Sequence, residues 1–211
     1  LLQVWVSENS AAPPKQLSQF DTAKQISGLE WLGAETGFVL VINDQLARLT
    51  MSGELQTFTL PMRVKYLHQA LPDNQVLIEY QHDYEEVLAR VNLNTLKVTP
   101  LHVGSFNDAQ LDALGNLWFT DQDFQLNTLE NGEVVRPTGT MTVNGLKAYK
   151  AGVAISNKQN ALLYLSAQQM EPTHLQALNS GAWFQDINNE RFIWSYKHTR
   201  NSDIVELAIV R

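Results

Sequence analysis

The 211-residue chain contains no cysteine, which excludes disulfide bridges, thiolate metal ligands and a cysteine nucleophile. Cysteine-free sequences fit exported bacterial domains and are also common in the cytosol, so this absence leaves the compartment open. Basic charge is scarce: 15 Lys and Arg stand against 22 Asp and Glu, the formal net charge is −7, and no basic run exceeds two residues. A nucleic-acid-binding surface is therefore disfavoured. The longest apolar runs, residues 37–42 and 203–210, fall far short of the roughly 20 residues a membrane-spanning helix needs. No basic segment precedes an apolar one at the N-terminus, so no signal peptide is visible. There is also no Gly-x-Ser-x-Gly elbow, no His-Glu-x-x-His and no glycine-rich phosphate loop, which removes the commonest hydrolase, zinc-protease and nucleotide-binding signatures.

What is present is apolar material and repetition. Hydrophobic residues make up 44% of the chain and charged ones 18%, enough for a sizeable core and against disorder. The length allows one all-β domain or two small domains, and the repeats below favour a single domain over residues 1–211. Residues 28–61 read as four short strands, 28–32, 37–42, 45–50 and 54–60. They are separated by Gly33-Ala34-Glu35, Asn43-Asp44 and Ser52-Gly53, residues that tolerate tight-turn geometry. Four strands joined by three hairpins make one antiparallel meander.

The rest of the chain repeats this unit, over residues 64–102, 103–140 and 141–178, with a partial unit at 179–211. Two strands, 1–6 and 15–20, precede the first unit, and because the chain opens directly in a strand, upstream sequence is expected. Each second strand is an apolar anchor. The anchors begin at Phe38, Val76, Leu117, Val153 and Phe192, so their spacings are 38, 41, 36 and 39 residues. After each anchor comes a strand with apolar residues three apart: Leu46 and Leu49, Leu88 and Val91, Leu126 and Leu129, Leu162 and Leu165, Ile204 and Leu207. Such pairs also fit a helix, but the short polar-bounded lengths and β-branched anchors favour strands. A meander cannot cover both of its faces alone, and stacked neighbours supply the cover. A period near 40 residues with four strands per repeat predicts an all-β, β-propeller-like array of four-stranded antiparallel meanders with about five visible blades. The final unit reads as three strands and the N-terminus as two, one more than a five-bladed ring takes. Either a boundary is misplaced or the ring is larger; the second is the expectation.

The segments Leu2-Gln3-Val4-Trp5-Val6 and Pro14-Lys15-Gln16-Leu17, then residues 26–42 with Trp31, and the turn Pro72-Asp73-Asn74, resemble the repeat of TolB-type propellers. The run Asp112-Ala113-Leu114-Gly115-Asn116-Leu117-Trp118 is similar to the Gly-Asn-Leu-Trp turn of sensor propellers and of streptogramin lyases. The resemblance implies binding of a protein, peptide or small ligand at the propeller funnel. In particular it implies a non-catalytic, periplasmic sensor part of a membrane-anchored winged-helix transcriptional regulator, with the membrane reached only through an upstream span. Two alternatives accompany it: a metal-dependent propeller enzyme of the lyase or lactonase type, and a structural envelope scaffold. No cofactor is expected.

Site candidates follow from the first strand of each repeat, which in a propeller lines the channel. Glu30, His68, Gln110, Lys147 and Gln185 stand six to eight residues before their anchors, one per repeat. They form either a polar ligand site or a lining that is polar because a channel is wet. Trp31 and Trp183 lie on the same strands and are candidates to approach a ligand, whereas Trp5, Trp118 and Trp194 are expected in the packing between blades. Residues 80–86, with His82 beside Asp83, Glu85 and Glu86, hold metal-ligand types but read as a solvated hairpin tip. Asp121 and Asp123 read as a second acidic tip without the full calcium-loop spacing.

Overall fold

The computed structural model describes residues 3–6, 13–20, 25–137, 142–157, 161–177, 182–188 and 191–196, and of residues 176–177, 182–188 and 191–196 the backbone alone. The described residues contain no helix. They group into two compact units, Leu1–Gly104 and Ser105–Arg211, each taken by itself below.

The first unit opens with a two-stranded sheet, β1 (Trp5–Val6) and β2 (Lys15–Gln16). A four-stranded sheet follows in sequence order: β3 (Ile26–Gly33), β4 (Gly37–Ile42), β5 (Gln45–Leu49) and β6 (Leu55–Thr57). A second comprises β7 (Val64–Leu71), β8 (Gln75–His82), β9 (Glu85–Asn92) and β10 (Val98–Gly104). The second unit holds β11 (Asp108–Leu111), β12 (Leu117–Thr120), β13 (Leu126–Glu130) and β14 (Glu133–Val135) in one sheet. It continues with β15 (Val143–Tyr149), β16 (Gly152–Asn157), β17 (Ala161–Ser166) and β18 (Gln169–Ala177) in another, and ends in the pair β19 (Ala182–Asn188) and β20 (Arg191–Tyr196). Every pairing is antiparallel between consecutive strands, as the repeat predicts, and each anchor is the second strand of its sheet.

The two-residue turn at Asn43-Asp44 works because both residues adopt the left-handed region (φ 51° and 62°), which Asn and Asp tolerate and which matches strand twist. Several predicted strands are longer than those found. The second, 15–20, ends at Gln16 because side chains take over the ladder beyond it: Ser18 Oγ accepts the Val4 amide (2.7 Å) and Gln3 Oε1 accepts that of Phe20 (3.1 Å). The strand expected at 54–60 covers only Leu55–Thr57, and its start is delayed because Thr50 Oγ1 accepts the Glu54 amide in the preceding turn (3.0 Å). Conversely, β10 runs past the expected boundary at residue 102 to Gly104, carried along β9 by a bulge at Leu101.

Alternation explains how the sheets stack. In β4, Val39 and Val41 point to one face and, with Leu46, join Val64, Leu67, Val76, Ile78, Val87, Ala89 and Val91 of the next sheet. Leu40 and Ile42 point to the other face and, with Ala47 and Leu49, enclose Val4, Leu17 and Phe20. Leu46 and Leu49, three apart, are thus buried on opposite faces of a strand rather than along one helix stripe. In the second unit Trp118 and Leu126 pack in the same way on Val153, Ile155, Leu163 and Leu165. The expectation that Trp5 is core fails: it is 55% exposed while its neighbour Val4 is 5% exposed, because alternation sends adjacent residues to opposite sides. Trp118 is fully buried as expected, and the Trp194 side chain, like the expected pair Ile204 and Leu207, lies outside the described residues.

First strands sit side by side within each unit, β3 with β7, β11 with β15, and β15 with β19. A backbone latch repeats at this junction. The Val64 amide donates to Asp44 O (2.9 Å) and the Val143 amide to Phe124 O (2.8 Å), each acceptor being a left-handed turn residue between second and third strands.

Candidate functional site

Glu30, Gln110 and Lys147 occupy one register position, opposite Val39, Trp118 and Ala154 on the neighbouring second strands. His68 and Gln185 do not. Each is the extra residue of a β-bulge, between Leu67 and Gln69 and between Phe184 and Asp186. The register equivalents in those strands are Gln69, opposite Leu77, and Asp186, opposite Ile193. A bulge adds one residue to one strand, so a count back from the anchor is offset by one wherever it occurs.

The bulges of β7 build the densest polar cluster of the first unit. Lys65 is the extra residue of one bulge and His68 of the other. Both reach Glu79 of β8: His68 Nε2 lies 3.3 Å from Oε2 and Lys65 Nζ 2.8 Å from Oε1. Lys65 also pairs with Glu86 of β9. The His68 and Glu79 side chains are 1% and 3% exposed, that of Lys65 53%, and the Tyr66 ring stands 5.0 Å from the imidazole. Burial pushes the Glu79 carboxyl up, but the hydrogen bonds and charges of His68 and Lys65 outweigh it and hold it below the usual value. Burial likewise lowers Lys65, and its bonds to Glu79 and Glu86 raise it net above the ordinary lysine value.

The sequence reading named His68 and missed Lys65, Tyr66, Glu79 and Glu86 as its partners. A signal existed: Glu79 is the only charged residue in any of the five anchors, and a carboxylate inside an apolar strand needs a partner.

The remaining candidates are dispersed. Gln110, 2% exposed, accepts the Ala148 amide through Oε1 (3.3 Å) and so ties β11 to β15. Glu30 and Lys147 are half-buried. Trp31 is 46% exposed, edge-on to Phe38 at 4.8 Å. Trp183 and Gln185 have described backbones on β19 only. The 80–86 segment is the β8–β9 hairpin, with Tyr84 98% exposed at its tip. Asp121 spends its carboxylate within the protein, accepting the amides of Asp123 (3.0 Å) and Gln125 (2.9 Å) and pairing with Arg136 (3.2 Å). Among the described residues, no three His, Asp or Glu gather as metal ligands. In the 112–118 run, Asp112 accepts the Leu114 and Asn116 amides (both 2.9 Å) and the Trp118 indole Nε1–H (3.1 Å), so this motif fixes a turn.

No family model matches the sequence, and no curated protein matches it. Solved structures do. A chain of a nidogen/laminin complex superposes with a TM-score of 0.60 at 12% identity, over 78% of this chain and 67% of that one. YCF48 bound to D1 peptide gives 0.61 at 11% identity, over 88% and 67%. The fold is that of β-propeller blades. TolB from Acinetobacter baumannii gives 0.57 at 16% identity, over 92% of this chain and 56% of that one, so this chain spans little more than half of it. At such identities the likeness concerns the fold alone. In blade terms, the Lys65–Glu79–His68 cluster lies on the first and second strands of its blade, beside the first strand of the preceding one.

Proposed function

We propose that this chain is a non-catalytic interaction module that binds a protein or peptide along the first strands of its blades. We further propose that it serves as the periplasmic sensor part of a membrane-anchored transcriptional regulator, which rests on the TolB-like sequence resemblance. The observation that carries the binding reading is the surface of β3 and β7. Trp31 (46% exposed) on β3 and Tyr66 (44% exposed) on β7 stand on adjacent strands, and Tyr66 follows a half-exposed Lys65 that is already ion-paired. Aromatic rings with a polar neighbour are the residues that dominate protein recognition. Two of the similar folds were solved with partners, nidogen with laminin and YCF48 with D1 peptide, which supports the reading without identifying a partner here.

Selection of a displayed peptide library on the intact chain tests it. Selected peptides are expected to lose at least about tenfold in affinity for Trp31→Ala or Tyr66→Ala, a loss typical of an interface hot spot. Both side chains are substantially exposed, so the variants keep the wild-type circular dichroism spectrum. Peptides that bind both variants as well as wild type would overturn the assignment of the surface. Divalent-metal stabilisation that a chelator reverses, together with turnover, would replace it with the lyase or lactonase alternative.

A further inference from the structure

The two faces of the β3–β6 sheet are covered unequally. On one face the neighbour is a complete four-stranded sheet: β7 lies beside both β3 and β4, and Leu32 of β3 packs against the shared apolar layer. On the other face the neighbour is β1 and β2, a sheet of two strands. Val4, Leu17 and Phe20 from this pair bury Leu40 of β4 and Leu49 of β5. The β3 part of the face is left bare. Leu29 and Trp31 stand directly opposite Leu40 and Phe38, so they belong to this face, yet they are 42% and 46% exposed while Leu40 is fully buried.

The bare strip borders an open strand edge. A Cβ placed on Gly53, in the turn between β5 and β6, would stand 2.7 Å from Leu17 O, so the chain leaving β2 runs over the outer strands. β1 is then the strand on the β3 side. Val4 turns both of its backbone groups toward β2: its amide donates to Ser18 Oγ (2.7 Å) and its carbonyl accepts from the Leu17 amide (2.8 Å). Alternation along a strand sends the Trp5 amide and carbonyl the other way, and among the described residues no strand pairs with β1 there.

An open edge beside an uncovered apolar strip suits an extended segment, which gains hydrogen bonds along the edge and buries alternate side chains on the strip. The opposite face shows the cover that this sheet takes, since residues of both a first and a second strand, β7 and β8, share its apolar layer. We propose that the half-covered face binds a β-hairpin of a partner protein. One strand of the hairpin pairs with the Trp5 edge of β1, and its inward apolar side chains cover Leu29 and Trp31. The proposal rests on the reading of Trp31 as a contact residue and specifies what is bound there and how.

A displayed library of disulfide-closed hairpins, with an Asn-Gly turn and randomised side chains at alternate positions, selected on the intact chain, tests it. The selected hairpins are expected to carry apolar residues on one face and to lose at least about tenfold in affinity for Leu29→Ala and for Trp31→Ala. Val103→Ala, at a comparably exposed apolar residue on β10 (48%), should cause no loss. Saturating hairpin should slow hydrogen exchange of the Trp5 amide at least about tenfold. N-methylation at the pairing position of the hairpin's edge strand should cost about tenfold, the worth of one hydrogen bond. Binding that depends on Trp31 but leaves the Trp5 amide exchanging freely would overturn strand addition while leaving the first-strand surface as a contact site. Affinities indifferent to Leu29→Ala and Trp31→Ala, or a selection that yields no hairpin, would overturn the proposal outright.

Discussion

Glu79 is the residue with the most at stake, because its carboxylate is taken out of water and held below its ordinary value by its contacts with His68 and Lys65 of one strand. Removing its charge leaves Lys65 and His68 facing a neutral amide. Glu79→Gln should therefore cost about 2 kcal/mol in urea unfolding at neutral pH. The pH dependence has a definite sign. The folded carboxyl titrates below its ordinary 4.5, so its contribution is complete above about that pH and disappears as pH falls through the lower folded value. Lys65 works at the other end: its folded value lies above 10.5, so its contribution is complete below that and fades as pH rises through the folded value. Unfolding midpoints measured from pH 3 to 7 should show an acid limb in the wild type that Glu79→Gln flattens. An identical limb in both proteins would mean that other carboxyls set the acid stability.

At the scale of the element, the close approach of neighbouring first strands can be read from two glycines of β3. Gly28 and Gly33 both sit on β3 with nearly the same left-handed φ, 128° and 126°. A Cβ at residue 28 would lie 2.8 Å from Leu67 Cβ and 2.9 Å from Leu67 O, whereas one at residue 33 meets nothing within 4 Å. The two positions therefore share backbone strain and differ in space. Gly33→Ala should show the strain alone, and Gly28→Ala should cost about 1–3 kcal/mol more, the usual penalty for overpacking. Chemical denaturation of the pair measures the difference, and equal costs would show that β7 yields without resistance. The bulges belong to this scale too, since they turn Lys65 and His68, three apart on one strand, toward the same carboxylate of the next.

For the molecule as a whole, the apolar core of the first unit is divided by its sheets into separate layers. Val41 and Ile42 are neighbours in sequence but belong to different layers, while Val41 and Ile78 share one. Val41→Ala and Ile42→Val should accordingly add within about 0.5 kcal/mol, and Val41→Ala with Ile78→Val should depart from additivity by more than that. Double-mutant cycles read this directly. Coupling of the adjacent pair would contradict the layered core. Layering also accounts for the repeat, since a sheet with two apolar faces is stable only when both are covered.

The sequence by itself determined the all-β class, the four-strand repeat, the place of every anchor and the burial of Trp118. These are local matters: strand periodicity, turn residues and spacing act within some 40 residues. Even the Asp112 turn was legible, because its partners lie within six residues. Only the tertiary structure decided which polar residues meet. His68 finds Glu79 across a strand pair, and whether it points there depends on a bulge, which leaves no mark in a count of residues. The exposure of Trp5 was hidden for a related reason: alternation fixes that Val4 and Trp5 face opposite ways, but which way is inward is set by the sheet packed alongside.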